Sequence, residues 1–261
     1  MIVFDVVSDL HIDQWDLNVK NKYPCGEVKH FPCEWKDSDI KLLVVAGDVS
    51  DDVDISLDYL NKVSEYYDKI LFVDGNHEHV VVYPDLYTTE NINNKIKNEK
   101  IVYLPENDYI HDRTVFIGCC GWWDYDTMTN FDDHKTYFDI WIPPFQPSQA
   151  LKFAENVVQR SKLEHRHLHD KLKSYSQSDD IDTIIIVTHT LPQPKFGERT
   201  STEFNSKFQD LFQYPKLKKW IFGHTHSQND ETYKNVHLFS NPRGRPEDYD
   251  REQYFVKTQK C

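Results

Sequence analysis

Several things are missing from this sequence, and each absence removes a class of protein. No apolar run approaches the roughly 20 residues a membrane-crossing helix needs. The opening stretch MIVFDVVSDLH has no basic region before its apolar residues and carries acids within it. It reads as a first strand, not a signal peptide. No Cys-x-x-Cys pair is present. The five cysteines, Cys25, Cys33, Cys119, Cys120 and Cys261, are odd in number and irregular in spacing, which excludes a disulfide framework and a zinc module. Reduced thiols in a cytoplasm are the simple expectation, with Cys119 and Cys120 as small core residues. Basic runs are absent and the net charge is -13. A chain built to grip a nucleic-acid backbone is usually basic, so nucleic acid is disfavoured as a partner. With no internal repeat and no long Gly/Ser linker, residues 1–261 read as a single domain, long enough to bury a core. The sequence carries no signal of oligomeric state.

What is present is a series of short apolar runs rich in Val and Ile: Ile2–Val7, Leu42–Ala46, Ile70–Val73, Val115–Cys120, Ile184–Val187 and Trp220–Phe222. Most end in a polar cluster, as buried strands do. A helix-like stretch with Leu57, Leu60, Ser64 and Tyr67 near helical spacing follows the second run. A longer one, from about Ser148 to Tyr175, carries Leu151, Ala154 and Val158 on one face. Alternating strands and helices point to a layered α/β fold. Two stretches lack the pattern. Trp15–Asp39 reads as a long surface loop. Trp122–Phe145 concentrates aromatic residues, and a cap or rim segment is expected around residues 122–180. For its rings a packed cap is the plainer reading, and a wall of a substrate pocket the sharper one.

The chemistry lies where the apolar runs stop. Asp9 and His11 follow the first, Asp48 the second, Asn76 and His77 the third, His189 the fifth, and His224 with His226 the sixth. In an open α/β sheet, loops beyond the carboxyl ends of parallel strands converge on one crevice. In extended chain, Asp9 and His11 would share a face, as would His224 and His226. Glycine before Asp48, Asn76 and His224 permits a sharp turn or a close backbone approach. Singly these residues are ordinary: a helix cap, a turn asparagine, a satisfied core histidine. Jointly they are five strand ends with carboxylate, imidazole and amide donors and no thiolate. That set suits hard or borderline divalent ions such as Mn2+, Fe2+/Fe3+ or Zn2+, and carboxylates around bound cations would account for part of the acidity.

The five blocks, Asp9-Leu10-His11, Gly47-Asp48, Gly75-Asn76-His77-Glu78, His189 and Gly223-His224-Thr225-His226, resemble in kind and order the motifs of the calcineurin-like metallophosphoesterase superfamily. The resemblance implies a four-layer α/β/β/α sandwich with a dimetal centre. Asp9, His11 and His226 would hold one ion. Asn76, His189 and His224 would hold the other, with Asp48 bridging the two, about 3.5 Å apart. His77 would bind no metal and would serve as general acid, and Asn76 would also steady the phosphoryl oxygens. The reaction implied is hydrolysis of a phosphate ester by hydroxide generated at the two ions.

Three positions sharpen or loosen the likeness. Asp51 stands where protein phosphatases of the superfamily place the carboxylate that orients the acid histidine. A solvated loop acid or a helix cap fits it equally. The arginine that follows that aspartate in Ser/Thr phosphatases is absent here, where Asp52 and Val53 stand, so that branch is disfavoured. Asn241-Pro242-Arg243-Gly244 resembles an element of small bacterial and phage-like members. Arg243 is the candidate for a phosphate contact, with a plain surface turn as the other reading. The expected substrate is a small phosphodiester or monoester such as a nucleotide. A nuclease of the same superfamily and an inactive metal-binding scaffold are the alternatives.

Overall fold

The computed structural model describes residues 2–15, 40–125, 147–193, 202–248 and 254–261. In chain order it holds β1 (Val3–Val7), β2 (Leu42–Ala46), α1 (Val53–Val63), β3 (Lys69–Val73), α2 (Thr89–Lys95), β4 (Ile101–Tyr103), β5 (Tyr109–His111), β6 (Thr114–Cys119), α3 (Pro147–Gln177), β7 (Thr183–Thr188), β8 (Leu217–Phe222), β9 (Asn229–Tyr233), β10 (Val236–Ser240) and β11 (Lys257–Lys260). Short 3-10 helices cover His77–Val82 and Ser206–Gln213. All six expected strands exist. The unexpected ones are short or polar except β10, which has Val236, Leu238 and Phe239 buried, and β9 and β10 form a hairpin through Lys234 and Asn235, both at positive φ.

The strands form two sheets, ordered β11-β1-β2-β3-β4 and β5-β6-β7-β8-β10-β9. β1 to β4 are parallel, as are β6, β7, β8 and β10, with antiparallel strands only at edges. Period-two alternation then sorts the side chains. Phe4, Val6, Val44 and Ala46 meet Phe116, Ile185, Val187 and Ile221 between the sheets. Leu43, Val45 and Phe72 face outward under Leu57 and Leu60 of α1. Ile184, Ile186 and Trp220 face outward on the other side, under Leu168 and Leu172 of α3. Helix, sheet, sheet, helix is the four-layer α/β/β/α sandwich expected. Both faces of the central strands are covered, which is why they read as unbroken apolar runs. Among the described residues no helix is long and apolar enough to cross a membrane.

Both helix expectations need correction in detail. α1 ends at Val63, with Ser64 as its C-cap. Tyr67 lies beyond the helix, buried, its hydroxyl donating to Asp5 Oδ2 at 2.9 Å. In α3 the buried stripe runs through Ala150, Phe153, Ala154, Val157, Ser161, Glu164, Leu168 and Leu172, while Leu151 is 44% exposed. The stripe keeps helical spacing but includes a serine and a glutamate, so apolar residues alone gave the wrong phase. Within residues 122–180, Trp122, Trp123 and Tyr125 are buried with Phe153 of α3, the packed arrangement. The remaining expected rings, Phe131, Tyr137, Phe138, Trp141 and Phe145, lie outside the described residues, as does nearly all of the Trp15–Asp39 loop.

Candidate metal centre

The carboxyl ends of β1, β2, β3, β7 and β8 meet at one place, because the inter-sheet core holds the two parallel sets side by side. The ligand loops are then laid on one another. Asp9 N donates to Gly47 O (3.0 Å), His11 N to Asp48 O (3.1 Å) and Gly223 N to His189 O (2.8 Å). The backbone there is not extended. Asp9, His11, Asp48, His224 and His226 all have positive φ, between 42° and 75°. The alternation argument for Asp9 with His11 and His224 with His226 therefore fails. Their side chains converge because left-handed turns follow the strand ends, a conformation that costs about 1–3 kcal/mol per residue and gathers at functional sites. The preceding glycines divide in role. Gly47 has φ +78° and supplies a turn. Gly75 and Gly223 lack positive φ, and a Cβ on either would collide with the carboxylate of Asp48 or Asp9.

All seven expected ligands come together. Three sets, Asp9/His11/His226, His11/Asp48/His77 and Asp48/His189/His224, each place their ligand atoms within 4.8 Å of one another. Each aspartate spends one oxygen on backbone: Asp48 Oδ1 accepts from His77 N (2.9 Å) and Asp9 Oδ1 from His224 N (2.8 Å). Asp48 Oδ2 faces inward, 3.1 Å from His189 Nε2 and 4.0 Å from His11 Nε2. It is the atom shared by both halves of the cluster.

The second ring nitrogens fix the tautomers. His189 Nδ1 donates to Ala46 O (2.9 Å) and His224 Nε2 to Thr202 O (3.0 Å). In the neutral rings that leaves lone pairs on His189 Nε2 and His224 Nδ1, which face each other at 3.1 Å. Asn76 Oδ1 lies 3.1 Å from the same His189 Nε2. On the other side His226 Nδ1 faces Asp248 Oδ2 at 2.5 Å, and His226 Nε2 lies 3.0 Å from His11 Nε2. Buried Asp9 Oδ2 has no hydrogen-bond partner. So many converging acceptors need a cation among them, and outer hydrogen bonds to carbonyls and carboxylate are how metal-binding histidines are oriented. The donor set fits a pair of divalent ions.

Protons alone serve the cluster unevenly. Burial opposes charge on His189, yet the Asp48 carboxylate raises it to about 10. Burial drives His11 down to about 2 against the pull of Asp48, and burial together with His189 drives His224 down to about 3. Asp48 is held well below the usual carboxylate range, burial opposing and His189 prevailing. Asp9 is raised, chiefly by burial.

His77 belongs to one of the three sets by distance, with Nε2 3.9 Å from Asp48 Oδ2. Its nitrogens are otherwise engaged. Nδ1 lies 2.5 Å from Asp51 Oδ1, and Arg245 Nη2 donates to Nε2 at 2.9 Å. Burial disfavours charge on this ring, but Asp48 and Asp51 outweigh it and raise its proton affinity. The cap of α1 is Asp52, which accepts from Asp54 N at 2.7 Å, so Asp51 is not the cap. Arg243 is 2% exposed, its guanidinium stacked 3.8 Å over the Trp15 ring.

Three residues of this neighbourhood were given no role by sequence reasoning. Glu78, inside the Gly-Asn-His-Glu block, accepts from Gly75 N (2.7 Å), Asp48 N (3.0 Å), Val49 N (2.7 Å) and Ser56 Oγ (2.9 Å). Burial and then Asp48 raise it to about 7. Arg245 and Asp248 carry no pattern signal beyond lying next to Arg243. Trp123 stacks on His224, ring centres 5.8 Å apart.

The chain is 24% identical to an uncharacterized protein of Acanthamoeba polyphaga mimivirus, covering 94% of this chain and 91% of that one. Its fold is similar to that of a phosphopantetheinyl hydrolase from Mycobacterium tuberculosis, with TM-score 0.70, 15% identity, and 98% and 95% of the two chains covered. It is also similar to a dimetal phosphatase from Danio rerio, with TM-score 0.65, 12% identity, and 98% and 91% covered. The profile of the calcineurin-like phosphoesterases matches residues 2–228. A dimetal donor set at the carboxyl ends of two packed sheets and that match along most of its length make the chain a metal-dependent phosphoesterase of the calcineurin-like phosphoesterase family.

Proposed function

We propose that the chain hydrolyses a small phosphodiester or phosphomonoester, such as a nucleotide, with His77 as general acid. In this reading Asp9, His11, Asp48 and His226 hold one divalent ion, and Asp48, Asn76, His189 and His224 the other. Manganese, iron and zinc all suit the donors. When bound, the pair supplies the Lewis acidity that makes water a nucleophile near neutral pH and offsets phosphoryl charge.

The chain's own residues do the rest. Asp48, sharing Oδ2 between the two halves, fixes their separation. Asn76 presents its amide to the phosphoryl oxygens. In its charged form, which Asp51 favours while holding the ring by Nδ1, His77 carries a proton on Nε2 in place of the hydrogen bond accepted from Arg245, and gives that proton to the departing oxygen. Arg243 belongs to the same reading. The Nε of its buried guanidinium has no hydrogen-bond partner among the described residues, and a substrate phosphate would supply a counter-charge. The observation that carries the proposal is the His77 ring, 2.5 Å from Asp51 on one nitrogen and 3.9 Å from Asp48 on the other.

Purified protein loaded with Mn2+ is assayed on p-nitrophenyl phosphate and bis-p-nitrophenyl phosphate. Turnover falling about 10²–10⁴-fold in His77→Ala, with the ions retained, is the expected result. Bound metal with no turnover on either ester would favour an inactive scaffold. DNA degradation at comparable efficiency would favour a nuclease, against which the net charge of -13 weighs.

A further inference from the structure

We propose that Arg245 is a substrate-contacting residue that grips the phosphoryl group beside His77, and that Asp248 is the positioning residue that fixes it there. The inference rests on the phosphoesterase reading above and adds a cation that neither motif nor resemblance assigns.

The turn after β10 is bound to the ligand loops on both sides of this arginine. Pro242 bridges to Ser8, Arg243 N donates to Ser8 O at 3.0 Å, and Gly244 N donates to Asp9 O at 2.8 Å. Gly244, at φ +79°, then turns the chain back. Arg245 N donates to Asp248 Oδ2 at 2.6 Å. That same oxygen lies 2.5 Å from Nδ1 of the ligand His226. One carboxylate atom therefore ties the arginine's backbone to a metal-binding ring. The side chain ends with Nη2 2.9 Å from His77 Nε2, the nitrogen that faces Asp48 Oδ2.

A guanidinium only donates, through five N–H groups in a planar fork that matches two phosphate oxygens. Placed against His77 Nε2, at the edge of the cluster, it would meet the non-bridging oxygens of any phosphoryl group that sits on that cluster within reach of His77. Arg243, two residues earlier, cannot take this place while its guanidinium lies against Trp15. Asp248 serves His226 and Arg245 together, so losing it loosens both.

The test is calorimetric titration of inorganic phosphate into the Mn2+-loaded protein, with bound ions counted in the same samples. Arg245→Ala is expected to weaken phosphate binding about tenfold or more at unchanged ion content, since hydrogen bonds to charged groups are the stronger kind. Arg245→Lys restores part of the affinity, because an ammonium lacks the fork. Free guanidinium restores part of it to Arg245→Ala, which a merely structural role would not allow. If Arg245→Ala does not fold, Arg245→Gln carries the same expectation. At matched ion content, Asp248→Ala should lower phosphate affinity when Arg245 is present and have little further effect in Arg245→Ala. Ester turnover by wild type together with unchanged phosphate affinity in Arg245→Ala overturns the inference and spares the phosphoesterase reading. Neither turnover nor phosphate binding in the ion-loaded wild type overturns both.

Discussion

His77 shows how much of the site is set by single contacts. Its ring is buried, which works against a charged imidazole, and two carboxylates reverse that balance. Asp51 is the one that can be removed without touching a proposed ligand. In Asp51→Asn the ring loses a charge partner, so its proton affinity falls. A general acid works only while protonated, and activity is lost as pH rises through its pKa. The alkaline limb of the kcat profile should therefore move to lower pH in Asp51→Asn, by about one unit or more. An unmoved limb would remove Asp51 from the mechanism. The candidate ligands were legible because each is a donor at the end of an apolar run. Asp51 was half legible: sequence could not decide between orienting His77 and capping α1, and Asp52 takes the cap. Arg245 and Asp248 were not legible, since their roles come from a turn folded back over β1, which no local pattern records.

Between the residue and the fold stand the loops, and Glu78 holds two of them. Its carboxylate gathers backbone N–H groups from the loops after β2 and β3, fixing Asp48 relative to Asn76 and His77. Glu78→Gln swaps one acceptor for a donor aimed at those N–H groups. The loss should be about 1–3 kcal/mol, seen as a lower unfolding midpoint and weaker retention of divalent ions. An unchanged midpoint with full ion content would show that the loops hold themselves. A second test concerns close approach. Gly75→Ala puts a methyl group onto the Asp48 carboxylate, so folded variant protein should bind fewer ions than wild type. Full ion content would mean the two loops can part without cost to the site. Elements themselves were legible where burial is two-sided, as in Leu42–Ala46 or Ile184–Val187. The phase of α3 was not, because Ser161 and Glu164 sit in its buried stripe. Glu164 earns that burial by accepting from Gly121 N and Trp122 N, both at 2.8 Å.

Across the whole molecule, two sheets are pressed together so that their parallel strands deliver acidic and imidazole groups to one end. The arrangement sets buried acceptors against one another and strains the backbone of five candidate ligands, so bound ions should contribute to the stability of the fold as well as to chemistry. Adding Mn2+ at 100 times its Kd to chelated protein should raise the unfolding midpoint by roughly 5–10 °C. An unmoved midpoint would mean the donor cluster is stable without cations. The most direct test of the central claim, that these donors meet around a pair of cations shared through Asp48, is elemental analysis of active protein and of Asp48→Ala. The account predicts two divalent ions per chain in the first and at most one in the second. Active protein without divalent ions, or Asp48→Ala retaining both, would contradict it.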